Sequence, residues 1–312
     1  FRLKWRELRS SQKVKCVIDL AKLTTESRNP RTMNLDEMSP LQLVSVMNQE
    51  DLHVVSAVKA VLPQVATAVQ WAKETLEAGG RLIYFGAGTS GRLGVLDAVE
   101  CPPTFGVSSD VVVGLIAGGE RAFVRAVEGA EDDPELCKKE LLAINLKESD
   151  LAVGLAASGR TPYVIGGLRY AKEIGCRTVA IACNKDSAIG KEADLAIEPT
   201  PGPEVLTGST RLKAGTAQKM ILNMISTGSM VGIGKAYQNL MVDVQQTNNK
   251  LVVRAQNITM AATGCTRDEA AAALHEANGS AKVAIVMLLT KVSAKEAQNQ
   301  LDAAQGHVRD AL

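Results

Sequence analysis

The chain has 312 residues, which is enough for one large α/β domain with helical additions and a sizeable buried core. Hydrophobic residues make up 46% of it but aromatic residues only 3%, so the core must consist of Ala, Val, Leu and Ile, which suits helices packed on a parallel sheet. The net charge of +1 gives no electrostatic reason for binding nucleic acid or a membrane surface.

The sequence of the N-terminal quarter predicts an arm followed by helices. Residues 1–22 are rich in Lys and Arg, and we interpret them as a leader, a trimmed start or a disordered arm. Residues 23–80 begin as a polar arm, after which Ser39-Pro40 has the pattern of a helix N-cap. Apolar residues at helical spacing over 51–78 predict a further helix, which Pro63 should kink or divide.

Residues 81–260 predict a parallel sheet with helices between its strands. Helical stretches separate short apolar runs, the pattern of right-handed crossover connections. Ligands of such sheets bind beyond the carboxyl ends of the strands, and three of these ends are rich in Gly and Ser. The predicted strands are Leu82–Phe85, Val111–Ala117, Leu151–Ala156, Thr178–Cys183 and, more weakly, Leu195–Glu198.

A glycine-rich turn, Gly86–Gly91, joins the first strand to a helix. Its backbone N–H groups can approach an anion at the helix start, and the hydroxyls of Thr89 and Ser90 add donors. The pattern is also that of a dinucleotide fingerprint, but the only acidic residue at a suitable distance, Asp110, precedes the second strand. A structural turn, a nucleotide site and another phosphate site all remain open, and the Thr-Ser pair favours the last. The absence of a following Lys excludes a Walker loop.

The rest of the chain is predicted to be mainly helical. A loop rich in Pro and Gly, Pro199–Gly208, leads to a long helix from about Leu212 to Met230. Residues 261–312 are Ala-rich and form a small helical domain, with capping boxes that begin at Thr266 and Ser293.

The cysteines and histidines give no sign of a metal or redox site. The six Cys and three His residues have no CxxC pattern and no metal-ligand spacing, so we expect a reduced, metal-free cytoplasmic protein. No apolar run reaches the roughly 18 residues that a membrane helix requires, so we expect no membrane partner.

Five longer strings carry a resemblance to one family. They are GAGTSGRLGVLDAVECPPTFG, LIAGGE, VEGAEDD, AASGRTPYV and GPEVLTGSTRLKAGTAQK. Over about residues 23–312 the chain resembles the N-acetylmuramic acid 6-phosphate etherases, which have a sugar-isomerase (SIS) fold that is shared with the eukaryotic glucokinase regulatory protein.

This resemblance implies an α/β parallel-sheet SIS sandwich with N-terminal helices and a small C-terminal helical domain. It also implies a homodimeric cytoplasmic enzyme of peptidoglycan sugar recycling whose partner is a small phosphosugar. The enzyme would cleave the D-lactyl ether of N-acetylmuramic acid 6-phosphate by elimination and hydration, giving N-acetylglucosamine 6-phosphate and D-lactate. The family needs no metal or cofactor.

Two glutamates match the catalytic pair of the family. We assign Glu100 as the acid that protonates the departing lactate and then activates water, and Glu131 as the base that takes the C2 proton. Glu100 lies in AVECPP, where Pro102 and Pro103 should end the helix in an apolar setting.

The remaining site residues belong to three groups. Backbone and hydroxyl donors from two loops are expected to bind the phosphate, and Arg92 and Arg160 could add positive charge there. The phosphate donors are Gly88, Thr89, Ser90, Gly91, Ser158, Gly159 and Thr161. In the family's signature loop, Glu204, Ser209 and Lys213 are expected to close the sugar pocket. Asn248 and Lys250 are expected to reach across a dimer interface.

Two other functions stay open on this fold. A phosphosugar-sensing regulator would do no chemistry, but the regulatory protein has two SIS modules, whereas this chain has one GAGTSGR and one AASGRTP. An aldose–ketose phosphosugar isomerase would need a base beside a carbonyl but no acid for a leaving group.

Overall fold

A computed structural model describes residues 23–125, 127–246 and 249–312, so the predicted leader, 1–22, lies outside the described residues. The polar arm runs through short 3-10 turns to Ser39, which caps the first helix in a capping box with Gln42. Helix α1 (Pro40–Lys59) is one continuous helix and α2 (Leu62–Glu77) follows it.

The predicted division near Pro63 is confirmed. The two helices meet at an angle of 61°, and Pro63 occupies the second position of α2, where its missing N–H costs no helical hydrogen bond. Among the described residues, no single helix has the length and apolar composition of a membrane crossing, although α1 and α2 taken together as a bent pair meet that test.

The sheet has five parallel strands in the order β2-β1-β3-β4-β5. Its central strands are buried on both faces, which agrees with their continuous apolar sequences. All five predicted strands are confirmed: β1 (Leu82–Gly86), β2 (Val112–Ile116), β3 (Leu151–Leu155), β4 (Arg177–Ile181) and β5 (Leu195–Ile197).

Helices cover both faces of the sheet. One core lies between the sheet and α2, α3 and α8, and the other lies under α5, α6 and α7. These helices are α3 (Gly88–Phe105), α4 (Glu120–Val124), α5 (Pro134–Ala143), α6 (Pro162–Ile174), α7 (Ala188–Glu192) and α8 (Lys213–Gly232).

The strand order determines where a ligand can bind. Gly86, the last residue of β1, is in register with Ile116 of β2 and Leu155 of β3, so the three strands end at one edge. The chain leaves β1 toward β2 on one side and returns to β3 on the other. The carboxyl ends of β1 and β3 therefore form a topological switch point, the usual place for a ligand in this strand order.

The C-terminal part packs around a core of its own. A small hairpin, β6 (Ala236–Tyr237) and β7 (Leu240–Met241), shares this core with the last four helices. The packed group therefore begins at residue 236, earlier than the predicted boundary at 261. Both predicted capping boxes are confirmed, and the helices are α9 (Asn249–Thr263), α10 (Arg267–Glu276), α11 (Ala281–Thr290) and α12 (Ala294–Ala303).

Two helix glycines give a matched test of this packing. A Cβ on Gly166 of α6 would lie 1.8 Å from the carbonyl oxygen of Pro134, whereas a Cβ on Gly215 of α8 would find its nearest atom at 3.4 Å. We expect Gly166→Ala to lower the free energy of unfolding by about 2–3 kcal/mol through overpacking. Gly215→Ala should leave it unchanged or raise it by up to about 1 kcal/mol through helix propensity. Urea unfolding measures both, and equal effects would contradict the packing of α6 on Pro134.

Candidate functional site

The turn after β1 places free backbone donors at the carboxyl edge of the sheet. Gly91 packs directly on the strand end, since a Cβ there would lie 2.5 Å from the carbonyl oxygen of Gly86. The N–H of Gly91 makes the first helical bond, to the carbonyl of Ala87 at 3.1 Å. The N–H groups of Gly88, Thr89 and Ser90 have no acceptor among the described residues. With the positive end of the helix dipole, they suit an anion.

The hydroxyl of Ser90 has a structural partner. Ser90 is buried, and its Oγ donates to Oε1 of Gln218 in α8 at 2.8 Å. This contact directs the side chain between α3 and α8, and the role of Ser90 at the phosphate stays a prediction. Thr89 is half-buried near the start of α8 and stays a candidate donor.

The loop after β3 is held rigidly beside this turn. Gly159 has a φ of +76°, and its carbonyl accepts the N–H of Ile189 at 2.9 Å. The amide of Asn184 donates to the carbonyl of Ser158 at 3.3 Å. Ser158 and Thr161 are both half-buried. Because β1 and β3 are neighbours, the fold brings the two predicted phosphate loops to the same edge.

Glu131 lines a pocket of about 170 Å³ at the carboxyl ends of β1 and β2. It lies in a short 3-10 turn, Ala130–Asp132, that precedes α5. Gly88 lines the same pocket, so the fold brings the turn and one predicted catalytic carboxylate together. The other lining residues are Ala87, Arg92, Ala117, Ala122, Val127, Glu128 and Gly129.

Glu100 lies elsewhere. It is twelve positions beyond Gly88 on α3 (100 minus 88), which places it about 18 Å along the helix axis. Its side chain is exposed, beside Leu96 and Val99, which are 46% and 56% exposed. The described fold therefore does not bring Glu100 and Glu131 together within one chain.

The predicted end of α3 at its prolines is wrong. The helix includes Pro102 and Pro103 and ends at Gly106, which has a φ of +64°. Cys101 and Phe105 are buried on one face of the helix, one turn apart, and their packing holds this turn despite the two missing N–H donors. Glu100 consequently lies on the outer surface of a regular helix and not in the predicted apolar setting.

Glu204 and Lys213 have internal partners. Glu204 is fully buried, and its carboxylate accepts the N–H groups of Lys213 and Ala214 at 3.0 Å each, which caps α8. The Lys213 ammonium lies 2.7 Å from the carboxylate of Glu50, which is buried in α1. These contacts give both residues a structural role, and their predicted role in the sugar pocket stays a prediction.

Glu50 also anchors the polar arm, a role that no motif indicates. It accepts a hydrogen bond from Asn29 at 2.8 Å and pairs with Arg31 at 2.6 Å. Burial acts to raise the pKa of Glu50, but the hydrogen bonds from Lys213 and Asn29 and the two nearby cations outweigh it and leave the pKa below its ordinary value. At Glu204 burial prevails over its hydrogen bonds and raises the pKa.

The remaining predicted residues do not line the pocket around Glu131. Ser209 is half-buried in the loop before α8, where its N–H donates to the carbonyl of Leu206 at 3.0 Å. Lys250 is exposed in the first turn of α9, and Asn248 lies outside the described residues.

Glu50 should make the stability of the protein depend on pH. Because its pKa is lower in the folded chain, its contribution is complete above the ordinary value of 4.5 and is lost as the pH falls through the folded pKa. At pH 7, Glu50→Gln should cost about 3 kcal/mol, since it leaves the Lys213 ammonium buried without its counter-charge. Urea unfolding should show this cost shrinking below pH 4.5.

Glu77→Gln is the matched control, because Glu77 forms an exposed pair with Lys73. It should change the unfolding free energy little at either pH. A pH-independent cost of Glu50→Gln would contradict the ionised pair.

Two family profiles match the chain. That of the glucokinase regulatory protein N-terminal SIS domain covers residues 64–172, and that of the SIS domain covers 131–227. With the five-stranded parallel sheet, these matches confirm the predicted SIS fold. A phosphoheptose isomerase from Neisseria gonorrhoeae overlaps 61% of this chain and 97% of its own at 15% identity, with a TM-score of 0.47.

Whole-chain relatives are much more similar. An N-acetylmuramic acid 6-phosphate etherase from Serratia proteamaculans (strain 568) is 59% identical over 295 residues, which cover 95% of this chain and 99% of the relative. Another, from Enterobacter sp. (strain 638), is 60% identical over the same shares. Identity of this extent over nearly the whole of both chains shows that this chain belongs to the N-acetylmuramic acid 6-phosphate etherase family.

Proposed function

We propose that the chain acts as an N-acetylmuramic acid 6-phosphate etherase, with Glu131 as the base beside a phosphate site at the turn after β1. The observation that carries this assignment is the pocket at the carboxyl edge of the sheet, which both Glu131 and Gly88 line. Membership of the etherase family supports the reaction and the substrate class.

The reaction needs a base and an acid. In the open-chain sugar the aldehyde at C1 makes the C2 proton acidic, and the base removes it. The electron pair of that C–H bond forms a C2–C3 double bond, while the C3–O bond breaks and its electrons leave with the lactate oxygen, which takes a proton from the acid. Water then adds its oxygen to C3 and a proton returns to C2, which gives N-acetylglucosamine 6-phosphate and D-lactate. Carboxyl groups can supply every proton transfer.

The phosphate anchors the sugar for this step. The N–H groups at the start of α3, with Thr89, and the Ser158 loop offer donors from two neighbouring strand ends. Several neutral N–H and O–H donors around the phosphate dianion can fix its position without a bound cation. A phosphate bound there places the sugar beside the pocket that Glu131 lines.

The acid comes from a second copy of the chain in our proposal. Glu100 lies exposed at the far end of α3, with Leu96 and Val99 exposed beside it. An apolar surface next to a functional carboxylate suits a protein interface. In the predicted homodimer, Glu100 of one protomer would then face the pocket of the other, and each site would use one glutamate from each chain.

Neither alternative function has comparable support. An aldose–ketose isomerase would use a base at the pocket but would leave the second glutamate without a task. A non-catalytic regulator would not need either one. The predicted setting, peptidoglycan sugar recycling in the cytoplasm, stays a prediction.

Glu131→Gln tests the base. It removes the carboxylate that takes the C2 proton, so both D-lactate release from N-acetylmuramic acid 6-phosphate and exchange of the C2 proton with deuterated water should fall by at least about 100-fold. Lactate is measured enzymatically and exchange by NMR. Glu135→Gln, an exposed residue in the first turn of α5, is the matched control and should keep both rates. Undiminished exchange in Glu131→Gln would rule out this role.

A mixing experiment tests the shared site. Glu100→Gln should abolish lactate release yet retain C2 exchange, because the acid acts on the leaving oxygen. When Glu100→Gln and Glu131→Gln chains are unfolded and refolded together, half of the dimers are mixed and each has one complete site, so about a quarter of wild-type activity should return. No recovery, with mixed dimers verified by a size tag, would place both glutamates in one chain's site.

A further inference from the structure

Arg92 has contacts that a phosphate ligand does not explain. It lies on α3, four positions after Gly88, and lines the pocket around Glu131. Its Nε donates to the carbonyl oxygen of Phe123 at 2.9 Å, and its Nη2 donates to that of Ala122 at 2.7 Å. Both carbonyls belong to the last turn of α4. The guanidinium therefore donates to two carbonyls at the C-terminal end of α4, where helix carbonyls lack intrahelical partners.

The short helix α4 has little else to hold it. It has five residues, and Ala122 is its one buried side chain, while Phe123 and Val124 are 42% and 81% exposed. A helix of this length is not stable without tertiary contacts. The two hydrogen bonds from the Arg92 guanidinium are thus a principal attachment of α4 to the sheet domain.

The chain passes from α4 to Glu131 over a few residues. Val127 packs on the β2–α4 turn, since a Cβ on Gly118 would lie 2.9 Å from the Cβ of Val127. Beyond Glu131, the carbonyl of Pro134 packs tightly on Gly166 of α6. The segment that carries Glu131 is consequently held at its downstream end by the packing of Pro134 on Gly166, and at its upstream end by Val127 together with the contacts of Arg92 to α4.

We propose that Arg92 is the positioning residue for Glu131 and links the phosphate-binding turn to the catalytic carboxylate. This inference rests on the proposed role of Glu131 as base. A general base must lie within hydrogen-bond reach of the proton that it abstracts, and a displacement of about 1 Å costs roughly 100-fold in rate. Because Arg92 is in the second turn of the helix whose N-terminus binds the phosphate, it keeps the base at a constant offset from the bound sugar.

The kinetic signature of positioning differs from that of binding. Arg92→Ala should lower kcat for lactate release and the C2 exchange rate together, by about 10- to 100-fold, with the KM for N-acetylmuramic acid 6-phosphate changed less than about threefold. Arg92→Lys should show a smaller decrease in kcat and in the C2 exchange rate, since one ammonium group cannot reproduce the hydrogen bonds of the planar guanidinium to two carbonyls. Millimolar guanidinium should restore activity to Arg92→Ala. Arg121→Gln, an exposed arginine on α4, should change neither parameter.

A double-mutant cycle with Glu131→Gln completes the test. If Arg92 acts through Glu131, Arg92→Ala should slow the Glu131→Gln enzyme by less than about threefold, so the two effects are not additive. Full activity of Glu131→Gln would overturn the base role and this inference with it. Two outcomes would overturn the inference on Arg92 and leave the base role intact. In the first, Glu131→Gln loses activity but the effects of the two substitutions are additive. In the second, Arg92→Ala raises KM and leaves kcat unchanged.

Discussion

The direct contact between the end of β1 and the start of α3 is the constraint on which the site depends. Gly86 and Gly91 approach so closely that a side chain on either would overlap the backbone of the other. This contact makes the helix begin immediately above the strand end. The free N–H groups of Gly88 and its neighbours therefore point to the edge of the sheet, and their position is set by the backbone.

The second constraint is the attachment of α3 to α8. Ser90 donates to Gln218 at the start of α3, and two turns later the buried carboxylate of Asp97 accepts from Asn223 at 2.7 Å and from Ser226 at 3.0 Å. Glu204 in turn caps the first turn of α8. The phosphate turn is thus connected through buried hydrogen bonds to the loop that the sequence assigned to the sugar pocket. That loop therefore helps to hold the helices in place.

Local pattern was enough to predict the elements and the edge at which the site lies. The apolar runs specified all five strands, and the cap signals at Ser39, Thr266 and Ser293 specified three helix starts, because each depends on neighbours in the sequence. Contacts between distant positions could not be inferred in this way. The partners of Glu50 include Lys213, 163 positions away, and nothing near either residue signals the other. The hydrogen bond from Ser90 to Gln218 likewise joins distant positions and has no signal in the sequence around either residue.

The length of α3 has the widest consequence for the mechanism. Glu100 precedes Pro102 and Pro103, and the chain from Gly88 to Glu100 is helical throughout, so the two ends of this stretch cannot approach each other. The helix then separates the turn after β1, where we propose that the phosphate binds, from Glu100 by about 18 Å. Because a sugar phosphate is much shorter than this distance, one α3 cannot serve a single substrate with both of its ends. This distance is the reason for our proposal that a reaction using both Glu100 and Glu131 takes one of them from each of two copies of the chain, with the exposed surface around Glu100 at their interface.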